Sequence, residues 1–498
     1  MYTVLVLKPE RLRSKLRSQG IRGPPPTLLV GNLRELKKIQ STTVVDQSSH
    51  QENKNNKMIV ISHDWGSTVF SCFERWRKAY GSTFLCAIGN IQVLYVTDSE
   101  MLKDIGLCTS LDLGKPSYLQ RERGPLLGQG ILTANGSIWA HQRKIIAPEL
   151  FMDKVKGMVK LMVESAESLV KTWESKIDEW GVAEIRVDEG LRSFSADIIS
   201  RACFGSSYSK GEDIFLRLRA LQQVMSKQSL MLGVPGLRYL PTKNNTKIWR
   251  LEKEIRALIL KVVKERMEST SEKDLLQMIL EGSNNGDLTP AMADRFIVDN
   301  CKSLYFAGHE TTAMSASWSL VLLASNPEWQ DRVRAEVFEV CGGHRLPDID
   351  MLRKMKLLNM VIQEALRLYP TVVFLSREVL QDMKLGQVDV PKGVNLWVPV
   401  VTLQQDPEIW GPDAHMFNPE RFARGITGAC KQPHVYMPFG VGTRTCVGQN
   451  LAMIELKVIL SLILSKFSFS LSPKYRHSPV FNLVIEPKHG VDLLIKKL

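Results

Sequence analysis

The residues best able to do chemistry lie near the C-terminus, in Phe439-Gly440-Val441-Gly442-Thr443-Arg444-Thr445-Cys446-Val447-Gly448. A lone cysteine in a glycine-rich loop is usually a structural thiol. Here Gly440, Gly442 and Gly448 let the backbone turn tightly and approach a flat group closely. Backbone N–H groups around the sulfur can donate to it and tune what it gives to a metal. Arg444 suits a carboxylate carried by that group. A helix starting at Gln449 turns its positive end toward the sulfur and favours the thiolate. The chemistry implied is haem-thiolate chemistry, with Cys446 as axial iron ligand.

A second constellation is Ala307-Gly308-His309-Glu310-Thr311-Thr312, inside a long apolar helical pattern. A glycine, an acid and an alcohol at mid-helix are poor helix design. Such local conflicts mark function.

The stretch Phe439 to Gly448 resembles the haem-binding signature of the cytochrome P-450 superfamily at every defining position. The likeness runs from the proline-rich segment after Arg22 to the C-terminus. It implies haem b, held by the Cys446 thiolate, and insertion of one oxygen atom of O2 into an organic substrate. It also implies roles for residues that are weak signals alone. Glu364 and Arg367, three apart on one helix face, would lock buried to Arg421. Trp139, Arg143 and Arg377 would meet the haem propionates with Arg444, and Phe439 would flank the haem. Thr311 would supply a hydroxyl that bonds backward and opens the helix to water. Glu310 would relay protons, and a small residue beside them would leave room at the iron.

The elements that must carry these residues read as mainly helical with a small β portion, an α+β arrangement in one large domain. Amphipathic helices are expected over 155–178, 190–204, 248–269 and 291–325, and another over 449–466. Asp64 to Tyr80 has helical periodicity. Strands Thr83–Ile88 and Ile91–Thr97 should pair across Gly89-Asn90. From 371 to 430 the chain turns irregular, with short strands. Residues 38–57 read as a polar loop. The organisation expected is a short apolar and basic segment over 1–22, a proline hinge over 23–37 and the haem-thiolate domain over 38–498.

The chain has 498 residues, 44% of them apolar, enough for a large core. Its eight cysteines form no CxxC pair, which argues against zinc and against a disulfide scaffold. The net charge of +13 is spread out, and no nucleic-acid motif accompanies it. Met1–Leu7 is too short to span a bilayer. The following Arg- and Lys-rich stretch with Leu12, Leu16 and Ile21 suits a membrane surface. The resemblance places such proteins on the cytosolic face of the endoplasmic reticulum.

No dinucleotide fingerprint or flavin domain is present, so electrons must come from a separate NADPH-dependent flavoprotein reductase. Lys144, Lys431 and Lys457 are candidates for its docking face. The substrate pocket should be lined by 108–130, Leu304–Ala307, Thr371–Leu375 and Phe481–Ile485, mostly apolar, for a lipophilic rigid molecule such as a terpenoid. Arg121, Arg123 and Lys488 are candidate carboxylate partners. The stretches Arg11–Arg17, Gly20–Pro24 and Leu237–Thr242 resemble the plant branch that oxidises gibberellins. Two other readings are open at this point. A haem-thiolate isomerase or dehydratase of peroxides usually lacks the Glu310-Thr311 pair. A non-catalytic haem binder has no use for it.

Overall fold

The computed structural model describes residues 3–36, 61–179, 181–205, 208–227, 236–268, 274–284, 289–343 and 346–498. The polar loop expected at 38–57 lies outside them. Helices follow the apolar repeat. In Met152–Glu174 the buried positions Val155, Val159, Met162, Val163, Ala166, Leu169, Val170 and Trp173 recur every three or four residues, one stripe of a 3.6-residue period.

Seven helices matter for the site: α1 Lys8–Arg17, α2 Gly136–Ile146, α3 Val187–Phe204, α4 Tyr208–Lys227, α5 Pro290–Ser325, α6 Lys356–Leu368 and α7 Gln449–Lys466. The expected helices at 190–204, 291–325 and 449–466 are thus present, the last with its bounds as read. The helical stretch before Tyr80 is two helices, Trp65–Val69 and Ser71–Tyr80, broken at Phe70.

The main sheet has five strands: β1 Thr83–Ile88, β2 Ile91–Val96, β3 Leu113–Gly114, β4 Phe374–Val379 and β5 Asn395–Pro399, in the order β1-β2-β5-β4-β3. β1 and β2 form the expected hairpin, with Ile88 opposite Ile91. A separate antiparallel hairpin joins β6 Pro479–Asn482 to β7 Val484–Pro487. This is a mainly α fold with a small β portion, as the sequence implied.

The centre of the molecule is α5, 36 residues long and buried through most of its second half. Its closest crossing is with α3. A Cβ on Gly308 would lie 2.5 Å from Ile199 Cδ1. Gly308 therefore lets two helices touch.

The N-terminal segment is packed against the domain. On α1, Leu16 is fully buried, Leu12 packs on the core, and the buried Arg13 donates to Gln92 Oε1 at 2.7 Å. The segment after Arg22 starts against β1. Leu85 N–H donates to Arg22 O at 2.9 Å, and a Cβ on Gly23 would lie inside the Leu85 carbonyl. Among the described residues, no helix is long and apolar enough to cross a membrane.

Candidate active site

The Cys446 loop is shaped by its glycines and by one backbone bond. Cys446 N–H donates to Phe439 O at 2.8 Å and closes the loop on itself. Gly442 has φ +70°, and a Cβ there would meet the carbonyls of Ile105 and Gly106 at 3.2 Å. That combination of positive φ and close approach requires glycine.

Of the eight cysteines, Cys446 alone is exposed. It is nevertheless deep in the protein: burial pushes its thiol pKa up, countered by the Gly448 N–H and by the charges of Arg143 and Lys115. Its sulfur therefore faces an interior hollow. α7 begins directly after Gly448, so the helix N-terminus adjoins the sulfur as expected.

Cations surround that hollow. Arg143 of α2 donates to Thr445 O at 2.9 Å. Arg444 is buried, and donates to Ala134 O at 2.8 Å and Asn135 Oδ1 at 2.9 Å. Its guanidinium lies 3.8 Å from the Trp139 ring centroid, with that of Arg143 at 5.5 Å. Arg377, on β4, is buried and donates to Ser376 O and Val441 O.

Lys115 completes the group, and sequence reasoning missed it. Burial, then Arg377 and Arg444, bring its pKa down to about 7. Burial and then its cationic neighbours bring Arg444 to about 9. Among the described residues, none of these four cations has a carboxylate partner in contact. Four clustered cations without a counter-anion are costly. They fit a group that carries two carboxylates and binds iron through a sulfur, which is what haem b offers.

Asn135 was also missed. It takes the Lys115 N–H at 2.7 Å, donates to Lys115 O at 2.7 Å, and accepts from Arg444. One side chain thus pins the Lys115 backbone and the Arg444 guanidinium.

The buried lock behind the loop is as the resemblance implied. Arg367 makes two 2.7 Å bonds to Glu364, and both side chains are fully buried. Arg421 Nε is 3.5 Å from Glu364 Oε1, and Arg421 also donates to Trp410 O and Asp413 O. Glu364 Oε1 accepts the Asn418 N–H at 2.9 Å, which ties this segment to α6.

On α5 the acid and the alcohol part company. Thr311 Oγ donates to Ala307 O at 2.6 Å, and both residues are only half-buried within the core. The helix runs unbroken across them, so no opening accompanies this bond. Glu310, about 100° round the helix, is buried among charges. Its Oε2 accepts from Arg219 at 2.9 Å and lies 3.5 Å from Arg192, and its Oε1 is 3.5 Å from His309 Nδ1. Burial alone would raise its pKa, but His309, Arg192 and Arg219 outweigh this and hold it below the usual carboxylate value. Arg192, Arg219, His309 and Glu486 also line a surface cavity of about 1180 Å³. Glu310 is thus linked through Arg192, Arg219 and His309 to a solvent-facing cavity.

Three further expectations are corrected. Lys457 is buried, with Nζ donating to Leu352 O at 3.0 Å, so it does not belong to a docking face. Arg121 and Arg123 line one cavity, of about 550 Å³, and Lys488 lines the 1180 Å³ one, so the three do not converge. Of the apolar wall, Val373 turns into the core, whereas Val372 is 43% exposed. Phe374 and Phe481 both pack on Phe70, at 5.1 and 6.0 Å between ring centroids. Leu483 sits at the β6–β7 tip with φ 69°, an uncommon conformation for a leucine.

An open cysteine sulfur beside four cations without carboxylate partners fits the needs of a haem-thiolate site. The chain belongs to the cytochrome P450 family, whose description matches residues 55–494. It is 56% identical over 502 residues to cytochrome P450 714C2 of Oryza sativa subsp. japonica, covering 100% of this chain and 95% of that protein. It is 48% identical over 499 residues to cytochrome P450 714B3 of Zea mays, covering 100% and 93%. It is 46% identical over 504 residues to cytochrome P450 714A2 of Arabidopsis thaliana, covering 99% and 94%. The protein is a haem-dependent monooxygenase that uses O2, an organic substrate and a redox partner.

Proposed function

We propose that this monooxygenase hydroxylates or epoxidises a gibberellin or a related terpenoid, with Cys446 as the iron ligand. The observation that carries the ligand assignment is the open Cys446 sulfur among four unpaired cations. Arg143, Arg377, Arg444 and Lys115 would hold the propionates, with Trp139 bracing Arg444 and Phe439 closing the loop beneath. When bound, haem b supplies oxygen activation, driven by electron donation from the thiolate.

The chain's own residues then do three things. Val372, Phe374, Leu483 and Phe481 present apolar surface to a lipophilic substrate and exclude water. Thr311 offers a hydroxyl next to the Ala307 carbonyl, where it can hold a proton donor in place. Glu310 passes protons inward from the solvent-linked Arg192–Arg219 cluster, which requires it to loosen from the arginines first. Replacing Thr311 with Ala should leave NADPH consumption nearly intact while product per NADPH falls roughly tenfold (~1.4 kcal/mol). An unchanged product ratio removes Thr311 from proton handling.

The gibberellin reading rests on the likeness of Arg11–Arg17 and Leu237–Thr242 to the gibberellin-oxidising branch and on the full-length similarity to the 714 relatives. The reductase proposed is an NADPH-dependent flavoprotein, with exposed Lys144 and Lys431 at its docking face. Placement on the cytosolic face of the endoplasmic reticulum is supported by Tyr239 and Leu240, 67% and 51% exposed, as a membrane-touching surface. The deciding experiment feeds gibberellin precursors to membranes that contain the protein and such a reductase. A product one oxygen heavier is expected. No product from any of the common precursors would rule the substrate out.

A further inference from the structure

A cluster of oxidisable and proton-accepting side chains lies behind the site, and the chemistry above does not use it. Tyr369, directly after α6, is fully buried and two indoles stack on it. Trp318 of α5 lies 4.3 Å away with ring planes 9° apart, and Trp65 lies 6.0 Å away at 10°. The phenol oxygen is 2.7 Å from His63 Nδ1 and 3.1 Å from His477 Nε2. His477 Nδ1 in turn is 2.9 Å from the Tyr475 hydroxyl.

The hydrogen-bond directions close consistently. Tyr475 O–H donates to His477 Nδ1, His477 Nε2–H donates to the Tyr369 oxygen, and Tyr369 O–H donates to His63 Nδ1, the shortest contact. Burial keeps both imidazoles neutral, His63 near 4 and His477 near 3. A buried tyrosine needs one partner to satisfy its hydroxyl. This one has two histidines and two stacked indoles, an arrangement suited to losing an electron and a proton together.

The route to the site is short. Trp318 follows Thr311 by seven residues on one helix, about 10 Å along its axis. Its Nε1 donates at 3.2 Å to Ile485 O, in the hairpin whose tip is Leu483.

We propose that Tyr369, acting through Trp318, is a proton-coupled one-electron donor to an oxidised haem site that finds no substrate. Trp318 gives one electron to haem oxidised by peroxide. Tyr369 refills Trp318 with one electron and passes its phenolic proton to His63 Nδ1. One O–H bond breaks and one N–H bond forms. The products are a neutral tyrosyl radical, an imidazolium and a haem site reduced by one electron. The proposal rests on haem binding at Cys446, which the carbon monoxide difference spectrum of the reduced protein checks separately.

The test mixes haem-loaded, substrate-free protein with hydrogen peroxide, freezes it within milliseconds and records the electron paramagnetic resonance spectrum. A neutral tyrosyl signal is expected in the unaltered protein and in Tyr475→Phe. It should vanish in Tyr369→Phe and fall several-fold in Trp318→Phe, which keeps an aromatic ring in the stack. Each variant is scored only if it retains the carbon monoxide spectrum. Should Tyr369→Phe not retain haem, Trp318→Phe decides. No tyrosyl signal in the unaltered protein, the same signal in Tyr369→Phe, its loss in Tyr475→Phe, or an undiminished signal in Trp318→Phe would each overturn the proposal.

Discussion

The Arg444 guanidinium lies 3.8 Å from the centroid of the Trp139 ring while its nitrogens donate to Ala134 O and Asn135 Oδ1. The cation is thus held on a π face and by two oxygens before any anion arrives. Preorganisation of this kind cuts the ordering cost of binding. It also ties the Cys446 loop to α2, as the Arg143 bond to Thr445 O does.

That contact gives the first prediction. Arg444→Gln keeps donors for Ala134 and Asn135 but removes the charge. A hydrogen bond to a charged group contributes about 1.5–3 kcal/mol, so haem should dissociate at least tenfold faster. Transfer of haem to an excess of apomyoglobin measures this. An unchanged rate would show that Arg444 braces the loop and does not hold the anion.

Gly308 supplies the second. An alanine there would drive its Cβ to within 2.5 Å of Ile199 Cδ1. Overpacking costs about 1–3 kcal/mol, against a gain of ~1 kcal/mol from replacing a mid-helix glycine. Gly308→Ala should therefore lower stability modestly, by about 1 kcal/mol. Ile199→Ala alone leaves a cavity and costs about 2–5 kcal/mol. The double variant should lose less than the sum in urea unfolding, because the new methyl enters the space that Ile199 vacates.

The third concerns the buried pair. Glu364→Ala leaves Arg367 fully buried beside three carbonyls and no counter-charge. Removing one member of a buried pair costs about 3–5 kcal/mol. The variant should melt far lower and express with little haem, as thermal unfolding and the carbon monoxide spectrum will report. Asp413→Asn, at a half-exposed partner of Arg421, should cost about 1 kcal/mol or less.

The sequence made legible whatever was repeated or motif-bound. α7 could be bounded because an apolar run follows the loop glycine and stops at Lys466. Lys457 was misread because α7 is buried on nearly every face from Ile454 to Leu464, so a charged residue there marks no polar side. Lys115 and Asn135 gave no signal, since each matters only through contacts some 20 to 310 residues away in sequence. Gly308 showed as a conflict within its helix. What the conflict served, a crossing with Ile199, depends on where α3 packs. Glu310 and Thr311 are neighbours in sequence but face different surroundings, because one helical step turns the side chain away.

The last prediction is a pH dependence of stability at Glu455, on α7. This carboxyl is buried, accepts a hydrogen bond from Ser195, and is pushed up to about 8 by burial, with the Ser195 bond pulling the other way. The unfolded value is near 4.5. A carboxyl whose folded pKa is raised binds more protons in the folded state between these two values. Stability therefore falls as pH rises from about 4.5 to 8, and levels once both states are ionised. Glu455→Gln keeps the shape and can still accept from Ser195, but never ionises. In urea titrations of the haem-loaded protein at pH 5, 6, 7 and 8, the unaltered chain should lose stability with rising pH more steeply than the variant. The gap should be on the order of a few kcal/mol at pH 8, since each pKa unit corresponds to about 1.4 kcal/mol. Parallel curves would mean that Glu455 is ionised in the folded protein and that a charge partner reaches it.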